Sequence, residues 1–600
     1  MKKQKKYFVL YLITAYVLIL FNRCASIGTI SGGPKDEDLP KMIGSKPKMY
    51  ATNFNGKEIR IDFDEYVQLK DVNQQFNASP PLKKKPLIWI KNKTVIVEYT
   101  DTLKENTTYT FNFGNSISDL NEGNVYTNFE FVFSTGNFID SLGIRGRIVN
   151  AFNLNPDKEA VLAELYSNLS DSAPLKEIPL FTGRTDTKGY FFINNVKPGT
   201  YRLYALKDKN YNYIYNPVTE AIAFSDSTVL LESSELSKEN KSRILFPSDS
   251  LLFSKIKDTI RRKQVKDSII SNKTKNAMYA DLYLFYEKDK KQYLKDYGRK
   301  NKRFFYITFN KPLKEDSINL IPVYYKTKDW YLIDKSPTHD SIVGWIKDTN
   351  LIKTDTLRTI IQYWGNNKKG ELIWKSDTVR LNYSGTEKSE KKSNKAKPET
   401  SKVTTSINGT IDLNEVPIVS SEFPLKNIDL HDIQLFQKID TVEFPSKFEI
   451  TRDSLSQRKL FLKSKWIEQT NYKLKIFPGA FQNIYKIPYD TFIIAFSVQK
   501  LDYYGKLTVN FTGVEIPVIV QLLSNDKVEY EKYVTSNMPV VFDFVKPETY
   551  TLKAIFDKNG DKIWTTGNLL NKIQPEKVIF YKDEIKMRSN WDVNLEWNLK

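Results

Sequence analysis

The chain has 600 residues, 40% of them hydrophobic and 13% aromatic, with a single cysteine, two histidines and a net charge of +19. One cysteine excludes a disulfide framework and a conventional His/Cys zinc cage within the chain. At about 150 residues per domain the length implies several domains, each held by its own apolar core. The charge comes from 74 Lys and 16 Arg, and the lysines are scattered through alternating segments. That pattern predicts a solvated basic surface and no nucleic-acid interface, because arginine is the preferred residue for phosphate and base contacts. An anionic envelope surface such as lipopolysaccharide is the alternative.

The first 23 residues have the organisation of an export signal. "MKKQKK" is basic, and "YFVLYLITAYVLILF" (7–21) is an apolar run of fifteen. Such a run is short for a membrane-spanning helix, which needs about 20 residues, and suits a signal-peptide core. Cys24 follows directly, where a lipoprotein is cut and acylated. Phe21, Asn22 and Arg23 depart from the usual leucine and small residues of that cleavage site. An uncleaved signal anchor with an incidental cysteine is the competing reading. Residues 24–44, with "SIGTISGGPKDEDLP", have the composition of a lipidated tether.

Beyond the tether the pattern is β. "EIRIDF" (58–63), "LIWIKNKTVIVE" (87–98) and "YTFNF" (109–113) alternate, and "FEFVF" (129–133) is more apolar. Runs of this kind, separated by Asn, Gly, Pro and Lys clusters, predict β-sandwiches. "SLLFSKIKDTIRRKQVKDSIISNK" (250–273) is the best helical candidate. "SGTEKSEKKSNKAKPETSKVTTS" (384–406) has no apolar periodicity and predicts a flexible linker.

Two kinds of unit recur. "VKPGTYRLYALKDKNYNYIY" (196–215) matches "VKPETYTLKAIFDKNGDKIW" (545–564) without a gap. "ENTTYTFNFGNSISDLNEGNVYTNFEFVFSTG" (105–136) matches "EQTNYKLKIFPGAFQNIYKIPYDTFIIAFSVQ" (468–499) more loosely, and "RFFYITFNKPL" (303–313) echoes "EIRIDFDEYVQL" (58–69). The expected order is signal 1–23, tether 24–44, first A unit 45–136, B unit 137–232, irregular or partly helical connector 233–280, degenerate A unit 281–383, linker 384–406, A unit 407–500 and B unit 501–600.

The A unit resembles the bacterial Ig-like domain, through "GKEIRIDFDEYVQLKD" (56–71), "LKENTTYTFNFGNSISDLNEGN" (103–124) and "FVFSTG" (131–136). The B unit is similar to transthyretin-like, carboxypeptidase-regulatory β-sandwiches, through "GYFFINNVKPGTYRL" (189–203). The N-terminal third resembles Ig-like-domain outer-membrane lipoproteins of diderm bacteria. What the resemblance implies is an all-β chain of tandem sandwiches, anchored in the outer membrane through acylated Cys24. It further implies a surface location and an accessory or scaffold role beside an outer-membrane β-barrel complex. No catalytic residue, cofactor or nucleic-acid partner is expected.

Site candidates are few. His339 and His431, each followed by Asp, lack a nucleophile elbow and read as surface turns. Asp208, Asn210 and Asn212, and likewise Asp557, Asn559 and Asp561, place oxygens at i, i+2, i+4, as Ca²⁺ loops do. The competing reading is a polar hairpin turn, with Gly560 at a positive-φ position. Tyr211, Tyr213 and Tyr215 alternate, so they form either an exposed row for sugar or a protein partner, or one packed face of a hairpin. "SPPLKKKP" (79–86) is a basic loop beside the A-unit strands, suited to an anionic surface or to solvent. The rival functions are a glycan- or calcium-binding surface module and a hydrolase with an unrecognised carboxylate pair.

Overall fold

The computed structural model describes residues 37–232, 277–313, 318–324, 329–384 and 399–600. The export signal, Cys24, most of the tether, the helical candidate 250–273 and most of the linker lie outside the described residues. What is described is all-β and falls into two compact units. Among the described residues, unit one comprises 37–148, 156–215, 223–232 and 277–282, and unit two comprises 149–155, 216–222 and those from 283 onward.

Unit one opens with a sandwich. Its first sheet runs Met42–Lys46, Glu58–Phe63, Thr94–Glu98, Leu87–Lys91, all antiparallel. Its second runs Asn77–Ser79, Thr108–Asn112, Glu130–Ser134. Alternation decides which side chains point inward. Ile59, Ile61 and Phe63 are fully buried, whereas Arg60 between them is exposed. They meet Phe111, Phe131 and Phe133 of the facing sheet. Phe111 and Phe133 pack edge to face at 5.3 Å, and each buried ring contributes about 1.5–3 kcal/mol of apolar burial. The run at 87–98 is two strands, not one. Asn92, at φ 57, turns the chain between Leu87–Lys91 and Thr94–Glu98, because a two-residue turn with positive φ matches strand twist.

The second sandwich of unit one places Leu162–Tyr166 between Phe181–Arg184 and Gly199–Lys207. Leu142–Asn150 pairs antiparallel with Tyr190–Val196. Ala277–Tyr279, expected in the connector, pairs in parallel with residues 143–145 of the same sandwich. A short strand there completes hydrogen bonding that an irregular connector would leave open.

The two sandwiches of unit one share a buried polar seam. Thr182 donates its amide to Ser79 Oγ at 3.0 Å, and its hydroxyl lies 3.2 Å from Asn77 Oδ1. Asn195 donates to Thr110 Oγ1 at 2.7 Å, and Asn194 donates to Glu130 at 2.7 Å. The Thr182 bonds are buried and those of Asn194 and Asn195 half-buried; together they favour one docking geometry, since a shift would leave buried polar groups unsatisfied.

Unit two holds three more pairs of facing sheets. The first sets Leu294–Asn301, Phe304–Phe309, Ser341–Ile346 and Tyr331–Lys335 against Ile318–Pro322, Thr356–Asn366 and Leu372–Asn382. The second sets Val403–Thr405, Ile418–Ser421, Lys459–Lys463 and Glu449–Arg452 against a five-stranded sheet centred on Asn471–Ile476. The third packs Gly505–Thr512, flanked by Pro539–Val545 and Asp592–Asn598, on a sheet built around Val518–Ser524 and Thr549–Phe556. The second and third are joined at Asp412, whose carboxylate accepts from Tyr504 at 2.9 Å and pairs with Lys546 at 2.7 Å.

Candidate functional site

The paired Asp-Lys-Asn loops have one architecture. In the second copy Asp557 is fully buried at the end of Thr549–Phe556. Its Oδ1 accepts the amides of Gly560 at 2.8 Å and Asp561 at 3.2 Å. Its Oδ2 accepts the Lys562 amide at 2.9 Å and the Tyr533 hydroxyl at 2.8 Å. Asn559 and Asp561 each accept the amide two residues on. In the first copy Asp208 accepts the amides of Asn212 at 3.2 Å and Tyr213 at 2.8 Å, and Asn210 and Asn212 repeat the i+2 pattern. Asx turns of this type close a loop on itself. The oxygens proposed as calcium ligands face backbone N–H donors, and each loop is a self-closed bend between strands, since the next strands begin only at Ala221 and Val578. Among the described residues, no three His, Cys, Asp or Glu side chains are grouped to hold a metal.

The tyrosines do not form a strand face. After Lys207 the chain leaves the sheet, and 208–216 is a bend without strand pairing. Tyr211 is 52% exposed, Tyr213 is half-buried and Tyr215 is 2% exposed. Tyr211 and Tyr213 both have φ of 60, which rotates their side chains out of the alternation that the sequence suggested. The Asx bonds of Asp208 override the period of two.

The geometry then joins two candidates that lie far apart in sequence. The 79–86 loop comes alongside the tyrosine loop, and Lys85 Nζ sits 4.5 Å from the centre of the Tyr211 ring. Between them lies a cavity of about 820 Å³. Lys83, Lys84, Lys85, Lys158, Arg184 and Lys209 line it, together with Tyr211 and Tyr213. Burial lowers the Arg184 pKa from its ordinary value, and the neighbouring Tyr213, Tyr211 and Asp208 act in the opposite sense. Burial pushes the Tyr213 hydroxyl up to about 12. Arg184 has no salt-bridge partner among the described residues. No sequence signal ties residues 83–85 to 184 and 211; the link is purely tertiary.

A second surface feature stands in unit two. The eleven-residue strands Thr356–Asn366 and Leu372–Asn382 form one hairpin closed at residues 367–370. Its distal half carries Trp364, Leu372, Ile373 and Trp374, exposed at 43%, 50%, 40% and 41%. The two indoles meet edge on at 5.6 Å. Leu372–Asn382 is the last strand of its sheet. Alternating residues of one strand reveal an apolar side, but not that both sides are exposed, and the feature was missed for that reason.

His339 occupies a turn at φ 55, where its carbonyl accepts the Leu313 amide at 2.7 Å. His431 is exposed in a short 3-10 turn capped by Asp429.

These features define a tandem β-sandwich protein with Ig-like domains. Residues 36–135 match the family model described as "Bacterial Ig-like domain", and residues 177–218 match one described as "Polysaccharide lyase family 4, domain II". The second match falls within the B unit. No curated protein matches the sequence. Among solved structures, the N-terminal part of the bacterial S-layer protein SbsC is similar at 12% identity and TM-score 0.16, over 42% of this chain and 52% of that one. The chain thus spans about half of that fragment. SbsC domains 1–6 are similar at 10% identity and TM-score 0.14, over 91% and 67% of the two chains. BcpA, the major pilin subunit of Bacillus cereus, is similar at 10% identity and TM-score 0.13, over 76% and 99%. Among the described residues, no helix is long and apolar enough to cross a membrane.

Proposed function

We propose that the chain is a non-catalytic cell-envelope lipoprotein. Acylated Cys24 holds it in the outer membrane, facing the cell surface, and its sandwiches act as a scaffold for an outer-membrane β-barrel complex. One observation carries the docking role: the 356–382 hairpin, whose paired tryptophans and terminal strand are exposed. A strand at the edge of a sheet offers unpaired N–H and C=O groups to a partner strand, and natural proteins usually blunt such edges. Here the edge is lengthened and given aromatic anchors of the kind that dominate protein interfaces.

The test has two parts. The mass of the mature N-terminus reads the anchor; an unmodified Cys24 still joined to Arg23 would defeat it. A photo-crosslinker placed at 374 in intact membranes reads the dock. Crosslinking to a β-barrel protein, abolished by Leu372→Lys, is the expected result. Adducts confined to lipid would overturn the scaffold reading.

A further inference from the structure

The cavity in unit one is a separate surface from the hairpin, and it goes beyond the scaffold reading. Its charge is one-sided. Lys83, Lys84, Lys85, Lys158 and Arg184 contribute five positive charges to its walls. The acidic groups at the rim are already engaged. Asp208 accepts backbone amides with both oxygens, and Glu159 pairs with Lys207 at 3.1 Å. Lys207 is also held by Asp157 at 2.9 Å. Arg184 is partly buried there with no carboxylate bonded to it among the described residues. Removing a guanidinium from water without a partner is unfavourable, so the site is arranged for an anion that arrives from outside.

The aromatic side of the cavity says what kind of anion. Tyr211 has one ring face against Lys85 and remains 52% exposed. Tyr211 and Tyr213 hold left-handed backbone, φ 60 at both, where the equivalent loop in unit two has Gly560 and Lys562. Bulky residues rarely adopt that conformation, and the second copy shows that the loop closes without an aromatic residue at the first position. Asn73, Gln74 and Asn212 add carboxamides to the walls, which pair with hydroxyl groups in either direction. Flat aromatic faces, carboxamides and clustered cations together suit pyranose rings bearing acidic groups. We propose that this cavity binds an anionic saccharide: a sugar chain carrying carboxylate or phosphate groups.

The experiment titrates the full chain with a carboxylated oligosaccharide (a galacturonate hexamer), a neutral glucose hexamer and a single-stranded oligonucleotide of similar charge. Vesicles of a phosphorylated glycolipid, against vesicles of a sugar-free anionic phospholipid, test a lipid-borne source of the same chemistry. Binding is expected to the galacturonate hexamer or to the glycolipid vesicles, at least ten-fold tighter than to the neutral hexamer. Arg184→Ala with Lys85→Ala should weaken it more than ten-fold. Tyr211→Phe should preserve it, and Tyr211→Gly should weaken it about five-fold while leaving the melting temperature unchanged or raised, because glycine relieves the positive φ. Loss of affinity without loss of stability separates a ligand contact from a structural one. Equal binding of the oligonucleotide or the sugar-free vesicles would overturn the proposal by reducing the site to charge alone. So would full affinity in Tyr211→Gly, or no binding to any probe.

Discussion

Tyr211 and Gly560 stand at the same place in two copies of one loop, and both hold positive φ, 60 and 73. In both copies a buried or partly buried Asp at the strand end gathers the amides of the loop. The backbone is therefore held in common while the residue at its apex has diverged.

Gly560→Val should destabilise the 505–598 sandwich by about 1–2 kcal/mol, because a β-branched residue fits poorly at positive φ. An added Cβ at Gly560 would meet nothing within 4 Å, so crowding does not contribute. Gly560→Asn should cost less than about 1 kcal/mol, since Asn tolerates left-handed backbone. Urea unfolding distinguishes them; equal losses for Val and Asn would refute the backbone argument.

Asp557→Ala removes the acceptor of three amides and of the Tyr533 hydroxyl. The expected loss is about 2–3 kcal/mol, with Asp557→Asn between it and wild type. Burial alone would raise this carboxyl, but bonds from Tyr533 and the amides of Lys562, Gly560 and Asp561 outweigh it and hold the pKa below its ordinary value of 3.8. A folded pKa below the unfolded one stabilises above pH 3.8, and that contribution is lost as pH falls through the folded value. Chelator should leave the melting temperature unchanged. A chelator-induced drop that disappears in Asp557→Ala would restore the calcium reading.

The β-sandwich character was legible because sandwich strands leave a period of two, and the shared architecture of the two loops because Val-Lys-Pro, Thr-Tyr and Asp-Lys-Asn recur without a gap. The hairpin at Asn92 and the bend at 208–216 were misread for a related reason. Alternation continued through a turn that one positive-φ residue, or one Asx carboxylate, creates. The meeting of Lys85 with Tyr211 was not legible at all. It depends on how the Thr182 seam docks one sandwich on another, and no local pattern encodes that.

Asp334, nearly buried, accepts from Trp345 Nε1 at 3.1 Å, from the Gln457 amide at 2.6 Å and from Arg458 Nε at 3.0 Å. It ties the 294–382 sandwich to the 403–498 one. Asp334→Ala leaves three donors unpaired and should cost about 2–4 kcal/mol. Asp334→Asn keeps an acceptor and should cost less. Calorimetry of the full chain should show the two sandwiches melting together in wild type and separately in Asp334→Ala. A single unchanged transition would mean that the knot does not couple them.

Lys553 offers a pH test. It lies on the face of Thr549–Phe556 opposite Leu552 and Ala554 and is 1% exposed, with Nζ 3.1 Å from the centre of the Phe152 ring. It forms no ion pair among the described residues. The ring face supplies some attraction for the ammonium, yet burial still lowers the pKa from 10.5 to about 8. Below pH 8 the folded chain must carry a desolvated cation that the unfolded chain keeps in water. The difference corresponds to roughly 3 kcal/mol of lost stability at neutral pH. That loss shrinks as pH rises through the folded pKa and is gone above the unfolded one. Lys553→Met preserves the length of the side chain and removes the charge. It should raise the unfolding free energy of the 505–598 sandwich in urea at pH 7, by about 1–3 kcal/mol after the ring attraction is subtracted. At pH 10 the two proteins should differ by much less. An equal gain at both pH values would show that packing, not the buried charge, separates them.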